Sequence, residues 1–139
     1  MNPFQSLVEY ERFVYTLQEQ HPSIHRSTLT VIRRGAAAAR LTGELEIGNY
    51  RIVVREKLSF ADQPGQITGY GYEVWQDSTK LYWYDSQTHP DDPVLAATDP
   101  HHKHIPPDIK HHRVPAPELS FTEPNLLFLI QEIEQLLGN

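Results

Sequence analysis

The spacing of apolar side chains predicts a helix at the start of the chain. These residues recur at steps of three and four, which is the period of one helical face; they are Leu7, Tyr10, Phe13, Val14 and Leu17. Asn2 can cap this helix, and Pro3 suits its first position. The pair His21-Pro22 ends it, because a residue before proline avoids the helical region. We therefore predict a helix over residues 3–20.

A second apolar stripe predicts a closing helix. Its members also follow the helical period; they are Leu126, Leu127, Ile130, Ile133, Leu136 and Leu137. Thr122 is the predicted cap, Pro124 lies in the first turn, and Gly138 stands just past the end.

Between these helices the apolar period changes to alternation, which is typical of strands. The predicted strands are Ser27–Arg34, Ala37–Ile47, Tyr50–Phe60, Gln66–Gln76 and Lys80–Ser86. Gly48-Asn49 predicts a two-residue hairpin turn, and Asp77–Thr79 predicts another short turn. Short turns between successive strands imply an antiparallel meander. The predicted fold is a single α+β domain over residues 1–139, in which about five strands carry both helices on one face.

Residues 87–118 form a long segment without a regular period. It holds seven of the eleven prolines and six of the eight histidines. We predict a His/Pro-rich loop there. A compact domain keeps a loop of that length mainly when it is functional or disordered.

The net charge of -6 conceals two basic segments. Residues 21–60 carry six arginines and one lysine against three glutamates, and residues 101–113 carry three basic residues against one aspartate. Such segments can bind a phosphate backbone, although they can equally neutralise acidic segments across a sheet. The candidate RNA-binding residues are Arg33, Arg34, Arg55, Lys57, Lys110 and Arg113.

Composition excludes several classes of function. The chain has no cysteine, which rules out disulfides, thiolate metal sites and a cysteine nucleophile. No apolar run approaches the roughly 18 residues that span a bilayer. The N-terminal segment lacks the basic and apolar regions of a signal peptide, so we expect a cytoplasmic protein without membrane contact.

One constellation of residues suggests RNA cleavage. The predicted strand that contains Asp85 is followed by His89 and then by the triplet His102-Lys103-His104. Histidines can act as acid and base in phosphodiester cleavage, and a cation stabilises charge on the phosphorus. His102 and His104 would be acid and base, Lys103 the cation, and Asp85 would orient one imidazole, with no cofactor. On an extended backbone Lys103 points away from both histidines, in which case Lys110 or Arg113 would serve.

Two other interpretations of this constellation stay open. The first is a metal-dependent nuclease, in which His102, His104, Asp85 and Asp99 bind a divalent metal ion. The second is a non-enzymatic module whose His/Pro loop binds a protein partner.

Glu56 is a weaker candidate for a functional group. It shares strand parity with Ile52 and Val54, so its side chain is predicted to point toward the apolar face. A buried carboxylate is costly unless it is paired. The alternatives are a salt bridge to an arginine of a neighbouring strand and a position at the rim of the sheet.

The same residues resemble the TumE-like family, the toxin half of certain type II toxin–antitoxin pairs. The family's hallmark is a Tyr-Asp-Asn strand end followed by an Asp-His-Arg-His run. Tyr84-Asp85 matches the first part, and His102-Lys103-His104 matches the histidine, basic and histidine positions of the second. Ser86 stands in place of the asparagine, and Asp99 is separated from the triplet by two residues. The resemblance implies a cytoplasmic ribonuclease toxin that acts on RNA. Its expected partners are a cognate antitoxin protein and, as a further option, a second copy of the chain in a homodimer.

Overall fold

The N-terminal helix is interrupted near its start. The computed structural model describes residues 2–88 and 90–138. Pro3–Gln5 form a short 3-10 helix capped by the Asn2 side chain, and α1 follows at Leu7–Gln20. Ser6 separates the two because its backbone is extended, and its hydroxyl accepts the Glu9 N–H and so caps α1. The predicted single helix over residues 3–20 is therefore wrong in its first turn.

An antiparallel sheet of eight strands forms the rest of the scaffold. The strands are β1 (Ile24–Ser27), β2 (Thr30–Arg33), β3 (Ala38–Ile47), β4 (Tyr50–Ser59), β5 (Gln66–Gln76), β6 (Thr79–Asp85), β7 (His102–His104) and β8 (Arg113–Pro115). Their order is β1-β3-β4-β5-β6-β7-β8, and β2 also pairs with β3. The α+β fold class is confirmed, and the prediction of about five strands is corrected to eight among the described residues.

The first predicted strand, Ser27–Arg34, corresponds to β2 and the last residue of β1, and the chain bulges between these two strands. β1 and β2 both pair with β3, and the chain leaves the ladder at Thr28–Leu29. Gly43 of β3 lies under this bulge, where a Cβ would fall 2.5 Å from the Thr28 carbonyl oxygen. Gly43 also adopts a φ of 132°, which L side chains rarely adopt. Alternation alone did not indicate this break.

The remaining extra strands lie in the segment predicted as a loop. β7 and β8 are three residues each, and a helical turn, α2, spans Pro93–Ala96. β7 pairs with β6, and β8 pairs with β7. Strands this short carry no recognisable period, so the pairing depends on contacts distant in sequence.

Both long helices cover one face of the sheet, as predicted. α3 spans Asn125–Leu137 and buries Leu126, Leu129, Ile130 and Ile133. Its start is not capped by Thr122, because no side chain makes a cap hydrogen bond there. Instead Ser120 Oγ accepts the N–H groups of Thr122 and Glu123. No helix among the described residues is long and apolar enough to cross a membrane.

The opposite face of the sheet is free of both long helices, and we call it the open face. Glu56 and Tyr72 face the helices, since they contact Tyr10 of α1 and Asn125 of α3. Side chains alternate along a strand, so Arg55 and Lys57 point to the open face. The functional candidates are distributed between these two faces.

Candidate functional site

A groove of about 510 Å³ crosses the open face. Strand register places Arg40 opposite Lys57 and Thr42 opposite Arg55, and these residues form one wall. Gly69 and Gly71 form the floor next to that wall. Because Gly71 has no side chain, the Arg55 guanidinium can lie over it, with Nη2 2.5 Å from where a Cβ would be. The groove therefore has a basic wall made by cations of β3 and β4.

Asp85 forms the opposite side of the groove. It pairs with Gly71 on one side and with His102 on the other, so it stands between the groove and β7. Its Oδ1 atom accepts a hydrogen bond from the Gln87 N–H, and its Oδ2 atom takes no part in that bond. Asp85 thus links the basic groove to the histidines.

Asp85, His102 and His104 lie together, and we call them the Asp–His cluster. One ligand atom from each residue can be chosen so that all three lie within 4.8 Å of one another. The pairing of β6 with β7 creates this proximity, because it sets Asp85 beside His102 and Trp83 beside His104. The three residues that sequence analysis selected are therefore brought together.

Both histidines of the cluster are almost inaccessible. His102 is 1% exposed and His104 is 5% exposed. Burial lowers the pKa of His102 to about 4, and the charge of Arg113 adds to the effect while Asp85 opposes it. Burial and Arg113 also lower the pKa of His104. The lowered pKa values favour the neutral form of both imidazoles.

His104 is held by stacking rather than by hydrogen bonds. Its ring lies on Trp83 with centroids 3.8 Å apart and planes 10° from parallel. The backbone carbonyls of Ile109 and Lys110 are close enough to favour its protonated form, but neither ring nitrogen makes a hydrogen bond of ordinary geometry within the described chain. A buried imidazole with two unpaired nitrogens is costly, and the arrangement calls for an explanation.

Arg113 supplies a cation beside the cluster. Its Nη2 lies 3.2 Å from His102 Nδ1 and 3.2 Å from Asp99 Oδ1, and its Nε donates to Thr98 Oγ1 at 2.8 Å. The Arg113–Asp99 ion pair is largely buried. Asp99, predicted as a fourth metal ligand, is therefore bound to Arg113 and is not part of the cluster.

Lys103 lies on the other face of the sheet. Its Nζ is 3.9 Å from Glu132 Oε2 and 4.1 Å from the centroid of the Tyr82 ring, against α3. Alternation along β7 causes this, because neighbouring residues of a strand point to opposite faces. The predicted convergence of Lys103 with the two histidines does not occur, and Arg113 takes the place beside them.

The other basic candidates are dispersed. Arg33 makes two hydrogen bonds to Glu11 of α1, of 2.6 and 3.0 Å, on the helix side. Arg34 is exposed beyond the end of β2, and Lys110 is exposed between β7 and β8. Neither lines the groove. Of the residues predicted to bind RNA, Arg55 and Lys57 line the groove. His89 lies outside the described residues.

Glu56 is buried as its parity predicted, and the suggested arginine partner is wrong. It is 2% exposed and accepts hydrogen bonds from the hydroxyl groups of Tyr10 and Tyr72. Burial raises its pKa to about 7, although both tyrosine hydrogen bonds oppose the shift. Glu56 belongs to the interface between the sheet and the helices.

Arg40 and the two glycines were not identified from the sequence, although a signal exists. The turn at Gly48-Asn49 sets the hairpin register, and this register places Arg40 directly opposite Lys57. Pairing the residues of β3 and β4 outward from that turn therefore predicts that Arg40, Arg55 and Lys57 lie together in the basic wall. Gly69 and Gly71 lie two residues apart, so they share one face, and together they indicate a gap in side-chain cover.

Comparison with known proteins gives one match. A protein-family model described as toxin TumE matches residues 13–137, from within α1 to the end of α3. No curated protein and no solved structure matches the chain.

Proposed function

Because the chain belongs to the TumE toxin family, we propose that it is an endoribonuclease toxin. RNA lies along the open-face groove, and the phosphodiester to be cleaved lies where that groove reaches Asp85. The observation that carries this proposal is the continuity of a basic groove with the Asp–His cluster and Arg113.

The groove suits a phosphate backbone. The groove is lined by three cations, Arg40, Arg55 and Lys57. The net charge of the whole chain is -6, so positive charge is concentrated in the groove although the protein as a whole is acidic. Among the described residues these three cations form no ion pair, so they remain available for phosphate oxygens. The absence of a side chain at Gly71 lets the Arg55 guanidinium lie across the floor of the groove, where it can meet a phosphate.

The cluster supports cleavage with the 2′-hydroxyl as nucleophile. That oxygen attacks the adjacent phosphorus and loses its proton to a base. The bond from phosphorus to the 5′-oxygen breaks, and the 5′-oxygen takes a proton from solvent water. Asp85 and a neutral imidazole can accept a proton, and Arg113 is the cation nearest to the cluster. The two histidines lie behind Asp85, so Asp85 is the first residue of the cluster that RNA in the groove would meet. Lys103 has no role in this scheme.

RNA cleavage by the purified chain tests the proposal. The variant His102→Ala with His104→Ala should lose at least about 100-fold in cleavage rate, as expected when proton-transfer groups are removed. The variant His111→Ala with His112→Ala is the matched control, because both of those histidines are exposed. It should cleave RNA like the unmodified chain.

Expression in a host cell adds a second readout. The unmodified chain should arrest growth and the cluster variant should not. Intact cleavage in the cluster variant would show that the site is wrong. If the unmodified chain neither cleaves RNA nor arrests growth, the ribonuclease proposal fails and the protein-binding module is favoured.

An antitoxin is the partner that family membership makes plausible. We propose that a small protein encoded beside this chain neutralises it. Co-expression with the product of the adjacent reading frame should restore growth, and the two proteins should co-purify. Continued growth arrest under co-expression would contradict this pairing.

A further inference from the structure

We propose that the Asp–His cluster binds one divalent transition-metal ion of the zinc class through Asp85, His102 and His104. Two imidazoles and one carboxylate form a ligand set that suits Zn²⁺ and related ions. Metal binding itself is measured without RNA. Its consequence for cleavage rests on the function proposed above.

The spacing of the three residues fits ligands that share one metal ion. Their ligand atoms lie within 4.8 Å of one another. Bonds of about 2.0–2.2 Å in a tetrahedral arrangement bring such atoms to roughly 3.3–3.6 Å. Side-chain movements of about 1 Å therefore complete the site, and the strand pairing need not change.

His104 provides the strongest reason for an ion. Both of its ring nitrogens are buried without a hydrogen bond in the described chain, and an unpaired buried polar group is costly. A metal ion bound to one nitrogen removes part of this cost. Stacking on Trp83 already holds the ring plane, so little rotational freedom is lost when the bond forms.

His102 is oriented as metal-bound histidines usually are. Its Nδ1 lies 3.2 Å from the Pro100 carbonyl oxygen and 3.2 Å from Arg113 Nη2. The two protons of Arg113 Nη2 can go to the Leu95 carbonyl and Asp99 Oδ1, which leaves His102 Nδ1 free to donate to Pro100. A ligating imidazole commonly donates its other N–H to a backbone carbonyl, which determines the tautomer and directs the second nitrogen to the metal.

Arg113 does not exclude a cation from the cluster. Its charge is paired with Asp99, and Thr98 Oγ1 and the Leu95 carbonyl accept its other donors. Asp85 has one carboxylate oxygen held by the Gln87 N–H and another available as a ligand. With three protein ligands a fourth position stays open, as in catalytic zinc sites. Of the three ligands, Asp85 is the one that lines the groove.

Titration of chelator-treated protein with Co²⁺ tests the site, followed by displacement with Zn²⁺. We expect one equivalent of Co²⁺ per chain, with the visible absorption of a four- or five-coordinate ion. Asp85→Asn, His102→Gln and His104→Gln should each weaken binding at least tenfold. His111→Gln is the matched control and should bind like the unmodified chain. Absence of saturable binding, or equal affinity in the cluster variants, overturns the proposal.

Thermal unfolding keeps the test informative if a variant is unstable. Zn²⁺ should raise the Tm of the unmodified chain and of His111→Gln but not that of Asp85→Asn. A rise of the same size in Asp85→Asn counts against the cluster.

RNA cleavage with and without EDTA separates this inference from the proposed function. Stoichiometric metal binding without cleavage by the metal-loaded protein would support the site and refute the ribonuclease. Cleavage by protein shown to be metal-free would refute metal participation and support the acid–base scheme expected from the sequence.

Discussion

Replacement of Glu56 by glutamine should make the protein more stable at neutral pH and not at acidic pH. Glu56 is fully enclosed between β4 and α1, where the hydroxyl groups of Tyr10 and Tyr72 donate to its two carboxylate oxygens. Burial raises the pKa values of both tyrosines, so they remain donors. Glutamine has almost the same shape as glutamate and stays neutral across this range.

The size of the effect follows from the pKa of Glu56. Burial raises it from 4.5 to about 7 in the folded chain. The unfolded chain therefore releases this proton at lower pH than the folded chain does, and stability falls as pH rises from 4.5 to 7. Each pKa unit corresponds to about 1.4 kcal/mol, so the loss totals about 3 kcal/mol. Below pH 4.5 the carboxyl is protonated in both states and this cost disappears.

Urea unfolding followed by tryptophan fluorescence measures the difference. The free energy of unfolding of Glu56→Gln, minus that of the unmodified chain, should increase by about 3 kcal/mol between pH 4.5 and pH 8. Other titrating groups contribute equally to both proteins and cancel. Glu123→Gln, at an exposed position, is the control and should show no such change. A difference that does not vary with pH would refute the raised pKa of Glu56.

Three further predictions concern the two faces of the sheet. Gly71→Val should weaken RNA binding in a fluorescence-anisotropy assay, because a Cβ there would lie 2.5 Å from Arg55 Nη2; unchanged affinity would show that RNA does not occupy the groove. Arg55→Gln combined with Lys57→Gln should reduce the slope of log binding constant against log salt by about 1.5, since two phosphate contacts are lost, and an unchanged slope would count against those contacts. Lys103→Met should leave RNA cleavage intact and lower the free energy of unfolding by no more than about 2 kcal/mol, because a partly exposed ion pair with Glu132 and a cation–π contact with Tyr82 are removed. Loss of cleavage in folded Lys103→Met would restore the role that the sequence suggested.

The central hairpin shows how much local sequence determines. Gly48-Asn49 requires a two-residue turn, and that turn sets the register of β3 against β4. Strand alternation then assigns Glu56 to the apolar face and Arg55 and Lys57 to the opposite one. Turn chemistry and alternation are local properties, so the fold class and the two faces could be predicted.

The position of β7 shows what local sequence did not determine. His102 lies seventeen residues after Asp85, and only the pairing of a three-residue strand with β6 places them side by side. That pairing, like the placement of Arg113 by β8, depends on which distant surfaces are buried together. Strand alternation correctly indicated that Lys103 points away from the two histidines. Which residues Lys103 and the histidines contact could be learned only from the tertiary structure.

The sequence by itself determined the residue types of the site, the antiparallel α+β scaffold and the face to which each regular strand residue points. The tertiary structure alone decided that Arg113 rather than Lys103 stands beside the histidines, that Asp99 is bound to Arg113, and that tyrosines of α1 and β5 enclose Glu56. The physical reason is that periodicity records which side of an element is buried. Which element covers that side is decided by packing between residues far apart in the chain.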